Sequence, residues 1–175
     1  MDYTEVVCGI VWHNGRILFM ERFNPPYEGV NCFPGGKIEP DQTLENALND
    51  EILDETHLKI NRAIYLGYVK EIIQEPEAIY KNLLHFYAVN PIDFDYAAKT
   101  REGTNKAILL TDLKNPKCCL GDTVAPLALL IINRIPIDAW TIDDLTDALT
   151  DSTVFGNEYN FVKSNGKYIQ TESVL

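Results

Sequence analysis

The first apolar positions fall into two short runs, Glu5 to Trp12, β-branched and apolar, and Ile17 to Met20. Between them lies His13-Asn14-Gly15-Arg16, and Asn-Gly is the strongest short hairpin signal, so the two runs predict paired strands. Residues 23–31, FNPPYEGVN, carry two prolines and a glycine and predict an exposed loop. Cys32 and Phe33 then lead into Pro34-Gly35-Gly36, which predicts a double-glycine turn because glycine reaches backbone angles closed to other residues.

From Leu44 the pattern becomes helical. Thr43 is a suitable N-cap, Glu45 in the first turn suits the helix dipole, and the helix is expected to end near Thr56. At about 100° per residue, Leu44, Ala47 and Leu48 share one arc with Glu51, Asp54 and Glu55. The face that anchors the helix in its first turns thus becomes a carboxylate face in its last. Unpaired carboxylates on an inward face are costly, and a hard divalent cation with oxygen ligands would neutralise them.

Residues 60–73 and 81–90 read as strands separated by an acidic, proline-containing turn, and 93–105 as a long polar loop. Lys106 to Thr111 predicts a short strand, Asp122 to Asn133 a buried helix and Ile142 to Leu149 a short amphipathic helix. Tyr159 to Thr171 alternates around Ser164-Asn165-Gly166-Lys167, a second Asn-Gly hairpin. Mixed strands with two or three helices predict an α/β or α+β sandwich around one sheet.

Composition narrows the function. The chain has 175 residues, 26 acidic and 15 basic, for a net charge of −11. That balance argues against nucleic-acid binding, which needs clustered Lys and Arg. It permits a small phosphorylated ligand whose charge is masked by metal ions. No apolar run approaches the roughly 18 residues of a membrane span, and MDYTEVV lacks the features of a signal peptide. Cys8, Cys32, Cys118 and Cys119 lack zinc-site spacing and read as reduced thiols of a cytoplasmic protein.

Residues 36–58 resemble the Nudix box, G-x5-E-x7-R-E-U-x-E-E-x-G-U, where U is aliphatic. Gly36, Glu51, Ile52, Glu55 and Leu58 match, whereas Gln42, Asp50, Asp54 and His57 replace Glu, Arg, Glu and Gly. The surrounding FPGGKIE resembles the branch of that family that hydrolyses oxidised nucleoside triphosphates. The resemblance implies a Nudix-like mixed sheet flanked by helices over residues 1–135. Residues 136–175 would form a C-terminal extension of helix and hairpin, packed on the same domain or on a second copy as a homodimer.

The resemblance also implies site residues. Glu51, Asp54 and Glu55 would be the catalytic acids and, with the carbonyl of Gly35, would bind Mg²⁺ or Mn²⁺. Several carboxylates without His or Cys suit those ions rather than zinc. Arg22, Lys37 and Phe33 would contact the substrate, the first two at phosphate and Phe33 by stacking on a base, as Phe23 or Tyr27 could. Glu102, in the polar loop, is a further candidate ligand or general base. The implied activity is a Mg²⁺-dependent pyrophosphohydrolase of nucleoside diphosphate-X compounds, with nucleoside triphosphates the substrate that FPGGKIE points to. The alternative is a catalytically weak nucleotide-binding sensor, because Gln42 brings no charge and Asp50 cannot do what an Arg does for its neighbouring acids.

Overall fold

The computed structural model describes residues 2–109, 112, 141–150 and 154–171. The first hairpin joins β1 (Thr4–His13) to β2 (Arg16–Arg22), with Trp12 opposite Ile17. Asn14 and Gly15 both have positive φ, 48° and 72°, the backbone that matches a two-residue hairpin to strand twist. Two short strands follow, β3 (Asn31–Cys32) on β2 and β4 (Gly35–Lys37) on β1. The predicted double-glycine turn is therefore a strand: Gly35 faces Cys8 and Gly36 faces Val7. Here glycine serves close approach rather than chain reversal, since a β-carbon on Gly35 would overlap the carbonyl oxygen of Val7.

Helix α1 (Leu44–Thr56) leads to the long hairpin β5 (Ile60–Glu75) and β6 (Ala78–Pro91). Strand β7 (Gly103–Leu109) pairs with β2, starting three residues earlier than the polarity pattern suggested. Helix α2 (Ile142–Thr150) precedes a final hairpin, β8 (Glu158–Ser164) and β9 (Lys167–Thr171). Its turn repeats the first, with φ of 50° at Asn165 and 74° at Gly166. The helix expected over 122–133 lies outside the described residues.

Among the described residues the sheet has nine strands in the order β3-β2-β1-β6-β5-β8-β9, with β4 also on β1 and β7 also on β2. It is mixed: β1 and β6 run parallel, as do β5 and β8, and the other pairs are antiparallel. The final hairpin thus continues the same sheet through β8 on β5.

Both faces of β1 are buried in apolar clusters, which explains its apolar run without polar alternation. Ile10 and Trp12 pack in a cluster with Phe19, Phe33, Phe86 and the α2 residues Ile142, Leu145 and Leu149. Val7 and Val11 pack on the opposite face with Ala47, Leu48 and Ile52 of α1. A helix on each face makes this an α+β sandwich, as the pattern of elements implied. Helix α1 sits close because Gly9 beneath it has no side chain; a β-carbon there would stand 2.7 Å from Ile52 Cδ1. Among the described residues, no helix is long and apolar enough to cross a membrane.

Candidate active site

Helix α1 is bounded as its sequence suggests. Thr43 accepts a hydrogen bond from the Asn46 backbone N–H at 3.2 Å, and His57 ends the helix in the left-handed region with φ 62°. His57 thus adopts the conformation that the glycine of the box pattern would favour. The inward face is shifted from the expected arc. Ala47, Leu48, Ile52, Glu55 and Thr56 are buried, whereas Asp54 is exposed. Ile52 takes the inward place because its side chain fills the gap over Gly9, which turns Asp54 towards solvent.

Two carboxylates meet strand β4. The Gly35 N–H donates to Glu55 Oε2 at 2.7 Å. The Glu51 carboxylate lies directly over Gly36, with its carboxyl carbon and both oxygens within 2.7 Å of where a β-carbon would stand. Only glycine at 36 leaves room for Glu51 in this position. This juxtaposition of α1 and β4 is the geometric basis of the spacing between Gly36 and the two acids.

Electrostatics mark the pair. Glu55 is only 5% exposed. Burial pushes its carboxyl up to about 8, against the Gly35 hydrogen bond and the charge of Arg22, while Glu51 and Glu102 push the same way as burial. Glu51 is also raised, first by burial and then by Asp54, Glu102 and Asp50, with Arg101 opposing. Burial and neighbouring like charge thus both disfavour the ionised form of the two acids. Among the described residues, no three His, Cys, Asp or Glu side chains form a ready metal-binding group. Mg²⁺ sites commonly use one or two carboxylates and complete their shell with water and substrate phosphate. Glu51 and Glu55 fit such an ion.

The two departures at the front of the box are joined to each other. Gln42 Nε2 donates to Asp50 Oδ2 at 2.8 Å, and Gln42 Oε1 accepts from the Glu39 N–H at 3.1 Å. The amide therefore ties the loop before α1 to the helix where the box pattern has oppositely charged residues. Neither identity alone suggested that pairing.

The other expected contacts divide. Arg22 is half-buried at the end of β2, and its Nε donates to the carbonyls of Pro26 at 2.9 Å and Asn24 at 3.3 Å. It holds the proline loop closed, with its charge near enough to Glu55 to favour the ionised carboxylate. Lys37 is exposed on β4. Phe33 is not a stacking platform: it is 5% exposed, stacked on Phe19 at 5.3 Å and set edge-on to Phe86 at 6.2 Å. The strand pairings on either side of it turn its ring into the core. Tyr27 is likewise buried, donating from its hydroxyl to Glu71, while Phe23 is exposed beneath the Lys99 ammonium.

The loop from 92 to 102 closes the other side. Its anchor is Asn105, 4% exposed, whose Nδ2 donates to the carbonyls of Glu55 at 2.7 Å and Ala97 at 2.8 Å. That side chain fastens the loop to the last turn of α1, a role no local pattern announces. The loop carries Glu102, whose charge reaches Glu51 and Glu55. An open cleft of about 400 Å³ lies between Asp54 and His57 on one side and Lys99, Thr100 and Arg101 on the other.

Residues 2–106 match the model of the NUDIX domain family. Over 52 residues the chain is 40% identical to the ADP-ribose pyrophosphatase of Methanocaldococcus jannaschii, which covers 30% of this chain and 31% of that protein. Over 103 residues it is 26% identical to the CTP pyrophosphohydrolase of Escherichia coli, covering 58% and 72% of the two chains. In fold it is similar to the MutT protein from Bacillus halodurans, with a TM-score of 0.64 at 13% identity over 98% of this chain and 99% of that one. With the box residues grouped at β4 and α1 and the family model matching more than half of the sequence, this chain belongs to the NUDIX domain family.

Proposed function

We propose that the protein is a Mg²⁺- or Mn²⁺-dependent pyrophosphohydrolase of nucleoside diphosphates linked to a further group, with nucleoside triphosphates preferred. One observation carries the reading: Glu51 lies over the bare Cα of Gly36 while Glu55 is held by the Gly35 N–H. Similarity to proteins named as a pyrophosphatase and a pyrophosphohydrolase supports the phosphoric anhydride bond as the target.

Glu51 and Glu55 would hold the cation, with Asp54 next to them reaching it through water. When bound, the ion supplies charge stabilisation at the phosphoryl oxygens. The Gly35 N–H fixes the orientation of Glu55, and Arg22 favours its ionised form. Water attacks a phosphorus of the pyrophosphate, and the bond to the bridging oxygen breaks. We assign Glu102 as the group that accepts the proton from the water. The products are a nucleotide and a phosphate-bearing fragment. Lys37 and Arg22 offer positive charge at the two strands flanking the acids.

The test is hydrolysis of a panel of nucleoside triphosphates, dinucleotides and nucleotide sugars with Mg²⁺ or Mn²⁺. Turnover is expected and should vanish in Glu51→Gln without loss of the folded state. No turnover across the panel would sink the reading.

The second reading, a nucleotide-binding sensor with weak turnover, draws on the Gln42–Asp50 hydrogen bond in place of a charged pair. Tight nucleotide binding by calorimetry without product would favour it. So would a large gain in rate when Gln42→Glu and Asp50→Arg are combined.

A further inference from the structure

The cleft beside the acid pair gathers two cations in an acidic chain. The protein carries a net charge of −11, yet Lys99 and Arg101 both line this cleft, with Asp54 opposite and Glu102 beside Arg101. The cleft is open and about 400 Å³ in volume. Asp54 and Arg101 are both near enough to Glu51 for their charges to act on its carboxyl, so the cleft adjoins the proposed reaction centre.

The cationic wall is braced. Thr100 N–H donates to the Gly103 carbonyl at 2.9 Å, and Lys99 forms an isolated bridge with Thr104. Phe23 N–H donates to the Glu102 carbonyl at 3.0 Å, and the Lys99 ammonium stands 5.5 Å from the centre of the Phe23 ring. Arg101 Nε lies 3.5 Å from Glu102 Oε1. These contacts tie the loop that carries both cations to β7 and to the end of β2.

Resting on the function proposed above, we infer that this cleft is a subsite for an anionic phosphoryl group on the leaving side of the scissile bond. Nucleoside triphosphates carry a further charged phosphoryl there, which Lys99 and Arg101 can contact by charge-assisted hydrogen bonds. In ADP-ribose the leaving half ends in an uncharged sugar, which gains little from two cations. The cleft thus selects triphosphates over nucleoside diphosphate sugars, and Lys99 and Arg101 determine the preference.

The double variant Lys99→Gln/Arg101→Gln tests this. Both residues are in the loop, and both changes keep length while removing charge. The ratio of kcat/KM for a nucleoside triphosphate to that for ADP-ribose should fall by roughly ten-fold or more, the effect of losing one or two charge-assisted contacts. Charge-preserving Lys99→Arg/Arg101→Lys should retain most of the preference. Calorimetry on Glu51→Gln protein, with and without the double substitution, should show the same loss of triphosphate over ADP-ribose binding. An unchanged ratio in both measurements, or equal weakening for both ligands, overturns the subsite. Wild-type protein that turns over neither substrate sinks the proposed activity, and the calorimetric ratio then judges the cleft by itself.

Discussion

Adding one methyl group at position 36 tests how Glu51 is held. A β-carbon there would stand within 2.7 Å of the Glu51 carboxyl carbon and both oxygens, where ordinary contact begins at 3.4 Å. The carboxylate must therefore retreat by about 1 Å, and misplacements of that size can cost on the order of 10²-fold in rate. Glu51 is half-exposed and can swing outward, so Gly36→Ala should change stability by no more than about 1 kcal/mol. Gly35→Ala should behave differently. Its β-carbon would overlap the Val7 carbonyl oxygen and lie 2.9 Å from Cys8 Cα, and backbone atoms of a paired strand cannot move aside. Loss of the β1–β4 pairing should cost about 3 kcal/mol or more. Thermal melting and steady-state hydrolysis with Mn²⁺ would be measured on both variants. A Gly36→Ala protein with full turnover, or one that unfolds as readily as Gly35→Ala, would refute the placement of Glu51.

Two further outcomes follow from the same geometry. Glu55 in the metal-free fold is pushed up to about 8, against an ordinary 4.5, so the folded state holds a proton there that the unfolded chain releases. This contribution to stability is complete below pH 4.5 and is lost as pH rises through 8, by several kcal/mol at about 1.4 kcal/mol per pH unit. Glu55→Gln should flatten that slope, and Mn²⁺ at pH 8 should raise the melting temperature of the wild type; a slope identical in both proteins would contradict the burial of this carboxyl. At the far end of the sheet, the Tyr168 hydroxyl accepts from the Tyr27 N–H at 2.8 Å and donates to Glu75. Tyr168→Phe keeps the ring packing and should cost about 1–2 kcal/mol in denaturant unfolding, whereas no change would mean that the hydroxyl contributes nothing to holding the proline loop.

The readings that held are those in which neighbouring residues decide the backbone. Asn14-Gly15 and Asn165-Gly166 make their hairpins because both residues tolerate positive φ. Thr43 caps α1 because its hydroxyl reaches a backbone N–H three residues on, whatever the helix later packs against. Glu51 and Glu55 lie one turn apart by helical geometry alone, so both could reach the same neighbouring strand, as they reach β4. Tertiary structure decided the rest. The double glycine is a strand rather than a turn because β1 lies against it, and Phe33 is core rather than platform because Phe19 and Phe86 enclose it. Asp54 faces outward because Ile52 fits over Gly9. Gln42 finds Asp50, Asn105 finds the end of α1, and Lys99 and Arg101 come to Asp54 only when separate segments meet. Local periodicity states which face of an element is apolar; only the packed sheet determines which residues from distant segments share the space beside it.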